Sequence, residues 1–127
     1  MQILRFGFMA MLVCASAFAH HAEDPRSGKP IEWTGTITVV SWDGAHVMYK
    51  IDVENAQHVH EIWQVMGASP KVLDRRNITS RTFVKGDVVT VTGFLNTANR
   101  IVSASYFTKA DGTKLVIGFR PGETMTP

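Results

Sequence analysis

Ser69-Pro70-Lys71-Val72-Leu73-Asp74-Arg75-Arg76-Asn77 is where a two-residue alternation of apolar and polar side chains gives way to helical character. Serine accepts a hydrogen bond from the backbone N–H groups of a first helical turn, and proline suits that turn because it has no N–H to leave unsatisfied. Asn77 is a natural stop. The segment predicts one short helix.

On either side of it the chain reads as strands. Ile31, Trp33, Ile37 and Val39 recur at spacing two between Glu32, Thr34, Thr36 and Thr38, the pattern of a half-buried strand. Val47, Tyr49, Ile51 and Val53 repeat it, and His58 to Met66 carries Val59, Trp63 and Val65 on one parity. Beyond the helix, Lys85-Gly86-Asp87 turns into Val88-Val89-Thr90-Val91-Thr92-Gly93. Ile101 to Phe107 comes next, and Leu115 to Phe119 is a short sixth strand after Asp111-Gly112. Three strands, a short helix and two or three more strands is the order of the OB-fold. The expected fold is mostly β, an OB-fold-like small barrel of five or six strands with the helix between strands three and four. A β-sandwich is the alternative, but it has no place for the helix.

The ends differ from this middle. Arg5 is the only charge before Glu23, Phe6 to Ala19 is apolar or small, and Ala17-Phe18-Ala19 is a small-x-small ending. That is the anatomy of a secretory signal, and the run is shorter than the roughly 20 apolar residues of a membrane-spanning helix. Ala15-Ser16-Ala17 is a second candidate ending. The organisation expected is a signal at 1–19, a loose arm at 20–30, the β domain at 31–119 and a frayed tail at 120–127, in a protein of the periplasm or the medium. Cleavage after Ala19 removes Cys14, the single cysteine, which excludes thiol catalysis and zinc-thiolate or iron–sulfur sites. Of 13 basic and 11 acidic residues, the signal takes Arg5, which leaves a net charge of about +1 and no field to attract nucleic acid.

Strand register decides what shares a face, because a one-residue slip turns every side chain over. A three-residue loop at 42–44 would set Val39 opposite Val47 and Val40 opposite His46. A loop at 55–57 would set Val53 opposite Val59 and Tyr49 opposite Trp63. The even-numbered face would then show His58 across from Glu54, His60 across from Asp52 and His46 across from Met66. Met48 would lie diagonal to Met66, with Trp42 over the adjoining turn. Cross-strand charge pairs and half-exposed methionines are ordinary stabilising and packing features, so each pairing has a purely structural reading too.

Several motifs occur together: Ala19-His20-His21, Thr34-Gly35-Thr36, Trp42 with His46, Gly67-Ala68-Ser69-Pro70, Arg75-Arg76, and Lys85-Gly86-Asp87 with Val91-Thr92-Gly93. As a set they resemble a family of uncharacterised exported bacterial proteins catalogued as a domain of unknown function. Asp43-Gly44-Ala45 departs from the Asn-Pro of that pattern. Met48 stands in place of an aromatic residue, and Lys85-Gly86 lacks an intervening proline. The resemblance implies export and one domain, brings no activity, and makes Trp42, His46, Ser69 and Arg76 candidate ligand-binding residues.

No nucleophile elbow, triad spacing, phosphate loop or dinucleotide fingerprint is present, so a non-catalytic protein is expected. Three binding readings are open. Copper is the candidate metal: thioethers select Cu(I) and imidazole suits it, and His46, Met48, Met66 and Trp42 supply those groups. Small OB-fold periplasmic copper carriers use the same residue types in a different chain order, a similarity of chemistry and not of motif. His20, exposed as an N-terminus by cleavage, would chelate through its amine and imidazole beside His21. An anionic ligand would instead use Lys50, Lys71, Arg75, Arg76, Arg81 and Lys85. An accessory role towards an envelope protein would use the even face as an apolar patch.

Overall fold

The computed structural model describes residues 28–118. The elements are β1 (Lys29–Ser41), β2 (Met48–Glu54), β3 (His60–Met66), α1 (Pro70–Arg75), β4 (Val88–Asn96), β5 (Ile101–Lys109) and β6 (Lys114–Val116). The signal, most of the arm, His20, His21 and the tail lie outside the described residues. Within them β1 starts at Lys29, two residues before the expected domain boundary.

β1 pairs with both β2 and β4, β2 with β3, and β4 with β5, all antiparallel. A three-residue parallel ladder, Gln64–Met66 against Ile101–Ser103, joins β3 to β5. The ladders therefore return to their starting strand in the OB-like order, with α1 between β3 and β4 and β6 added against β5. This ring disposes of the sandwich alternative.

The inward parity fills the ring. Ile37, Ile51, Val65, Val89, Val91 and Val102 are buried with Tyr49, Phe83 and Phe107. The three aromatic rings meet edge-on, at centroid distances of 4.9 Å for Tyr49–Phe107 and 5.2 Å for Phe83–Phe107. α1 forms as its sequence dictates: Ser69 Oγ accepts from Val72 N at 3.3 Å, Pro70 opens the first turn, and Leu73 is buried. Asn77 then takes the left-handed conformation at φ 58°, which asparagine tolerates better than most residues.

Both hairpin registers differ from the expected ones. In the first, Ile37 pairs with Ile51, and a β-bulge at Thr38 then sets Val39 opposite Lys50 and Val40 opposite Tyr49. The pairings that a tight turn would give, Val39 with Val47 and Val40 with His46, do not form. Thr38 Oγ1 donates to the Lys50 carbonyl at 3.1 Å and occupies the extra position. The bulge inverts the parity of the rest of the strand: Val40 turns in against the core, while Val39 is left 45% exposed. Packing decides this, since Val39 and Val40 cannot both point inward from a regular strand. The connection to β2 lengthens to residues 42–47. Val47, fully buried, pairs with the chain after β3 instead of with β1, through Val47 N to Ala68 O (3.0 Å) and Gly67 N to Val47 O (2.8 Å).

The β2–β3 ladder is shifted by two residues from the expected one. Tyr49 faces Val65, Ile51 faces Trp63 and Glu54 faces His60. Parity survives a shift of two, so the faces are as predicted. The turn at 55–59 is longer because Asn55 Oδ1 accepts from both Gln57 N (2.9 Å) and Val59 N (3.0 Å), which keeps Val59 out of the ladder.

Candidate functional site

The outer face of β2 and β3 carries the groups that the sequence singles out. Asn55 N donates to Val59 O at 2.9 Å, which fixes the phase of the ladder. Counting back in twos, the odd-numbered residues of β2 exchange hydrogen bonds with β3, and the even-numbered ones form the pairs between them. Met48 and Met66 are direct partners and fall in that second class, where Cα atoms lie about 4.5 Å apart and side chains approach most closely. They are the two methionines among the described residues, both are half-buried, and the ladder sets them face to face and not diagonally as expected.

Ser41 on β1 and Ser103 on β5 complete this row, since Ser41 pairs with Met48 and Met66 with Ser103. The 42–47 loop stands at its end. Ser41 Oγ donates to Asp43 Oδ1 at 2.7 Å, and this bond, with a second from its own backbone, holds the Asp43 carboxyl below the usual carboxylate range. Trp42 packs on the core, and its Nε1 is buried without a hydrogen-bond partner among the described residues. Tyr49 Oη is the other such atom, and burial pushes that phenol up. His46 is exposed on the loop and pairs with neither Val40 nor Met66, so the expected four-residue cluster reduces to a cross-strand Met48–Met66 pair beside a loop that bears Trp42 and His46.

The remaining candidates fall elsewhere. Ser69 is occupied in capping α1. Arg76 Nη1 donates to Val116 O (3.0 Å) and Gly118 O (2.6 Å) and ties the β6 segment to the end of α1. The two predicted histidine–carboxylate pairs do form despite the shifted ladder: His58 Nδ1 lies 2.7 Å from Glu54 Oε1 and His60 Nδ1 lies 2.9 Å from Asp52 Oδ1. The hydrogen bond that His60 donates to Asp52, followed by the Asp52 charge, raises the His60 pKa.

Sequence reasoning does not find one cluster. The Trp33 and Trp63 rings meet at a centroid distance of 4.8 Å with their planes tilted by 45°, and the Arg100 guanidinium lies 4.6 Å from the Trp63 ring centroid. Inward parity on β1 and β3 is the available signal, but no ladder links those strands, and only the curvature of the ring brings the two rings together.

Among the described residues no three His, Cys, Asp or Glu side chains come together to hold a metal ion, and no helix is long and apolar enough to cross a membrane. No curated protein and no solved structure matches the chain. The profile of a family of unknown function, DUF6152, matches residues 9–102. That span contains most of the apolar run near the N-terminus, the whole β2–β3 face and α1, and the chain belongs to this family.

Proposed function

We propose that the protein is an exported, non-catalytic binding protein of the periplasm whose ligand surface is the Met48–Met66 end of the outer β2–β3 face, and that its ligand is Cu(I). The observation that carries the reading is the direct pairing of Met48 with Met66. Two thioethers in a close cross-strand pair form a soft donor set, and soft donors select Cu(I) over the harder divalent ions. His46, two residues before Met48 in the chain, is the nearest imidazole in sequence to supply a third donor, and Trp42 supplies an aromatic face at the start of the same loop.

The test is a Cu(I) titration of the purified protein against a chromophoric competitor under reducing, anaerobic conditions. One Cu(I) per chain is expected, with affinity falling by at least about tenfold, or about 1.4 kcal/mol, in both Met48→Leu and Met66→Leu. Leucine conserves the volume, so these variants stay folded. A wild-type chain that takes up no Cu(I) in competition, or Leu variants that bind as well as wild type, would overturn the reading.

A further inference from the structure

A second donor set lies at the other end of the same face and stands independently of the copper reading. His58 and His60 both turn Nδ1 to a carboxylate, Glu54 at 2.7 Å and Asp52 at 2.9 Å. An ionised carboxylate only accepts, so each Nδ1 carries the proton and each neutral ring keeps its lone pair on Nε2. Both rings are open to solvent, with side-chain exposures of 88% and 65%. This is the arrangement by which proteins orient imidazoles for a metal, with the carboxylate as the outer partner.

The backbone holds the two rings in place. Asn55 anchors the turn through its side chain, its backbone carbonyl accepts from His58 N at 3.0 Å, and His58 sits at φ 60°. Asp52 and Glu54 are alternate residues on one strand face, about 7 Å apart, and each carries one of the two imidazoles.

We propose that His58 and His60 form a two-imidazole site for a divalent transition-metal ion of borderline softness, such as Zn²⁺, with Glu54 and Asp52 as the outer-shell carboxylates. Water completes the coordination. The site takes an imidazole-preferring ion, whereas the Met48–Met66 pair about 20 Å along the strand offers only soft donors.

The experiment is a Zn²⁺ titration of the purified protein followed by the imidazole resonances of its histidines. The signals of His58 and His60 are expected to move together and saturate. In His58→Asn, which keeps a residue suited to the left-handed turn, the His60 response should be lost. Asp52→Asn should weaken binding by about tenfold or more. Independent responses of the two rings, no response, or a His60 response unchanged in His58→Asn would each overturn the proposal.

Discussion

At the scale of single residues, the distinction that matters is between side chains committed to the fold and side chains left available. Arg76 belongs to the first group. Its charged hydrogen bonds to Val116 and Gly118 predict that Arg76→Ala lowers stability by about 1.5–3 kcal/mol in urea unfolding while leaving Cu(I) uptake unchanged. His60 belongs to the second, and its partner gives a pH signature. Asp52 raises the His60 pKa in the folded chain, so the contribution is fully present below the unfolded value and disappears as pH rises through the higher folded one. Urea midpoints of wild type and Asp52→Asn should therefore differ more at about pH 5.5 than at about pH 8.5, settings that bracket a histidine's ordinary range. A gap that is equal at both pH values, or larger at the higher one, would remove His60 as its source.

At the scale of elements, the bulge at Thr38 sets what the β1–β2 hairpin presents. Because it turns Val40 inward and Val39 outward, Val40→Ala should cost about 1–2 kcal/mol and Val39→Ala no more than about 0.5 kcal/mol. Reversed costs would mean the strand runs without a bulge. The strands, their inward parity away from the Thr38 bulge and the Ser69-capped helix are legible in the sequence, because each depends on neighbours within a few residues. The register is not. Whether Thr38 is squeezed out of the ladder, or Asn55 extends the next turn, depends on which residues the core on the far side can accept. The same limit explains the site: parity alone puts Met48 and Met66 on one face, whereas their direct pairing, and the removal of His46 to the loop, come from register.

At the scale of the whole molecule, the ring is joined unevenly. β4 is paired along its length, with β1 from Lys29 to Thr36 and with β5 from Val89 to Asn96. The β3–β5 seam holds only Gln64–Met66, in the parallel arrangement that is slightly less stable per residue. Local opening takes place where the fewest interactions must break. Amide exchange of Gln64 and Met66 should therefore proceed at a lower free energy than that of Val89 and Val91, which should exchange only on global unfolding. Met66 lies in this seam, opposite Ser103, and also in the proposed Cu(I) pair. A metal bridging Met48 and Met66 fixes β3 to β2 at the residue where β3 meets β5, so Cu(I) should slow exchange across the seam and leave the β4–β5 turn unchanged. Protection that rises equally throughout the domain would show that the ring opens as one unit, and protection unchanged by Cu(I) would separate the seam from the metal.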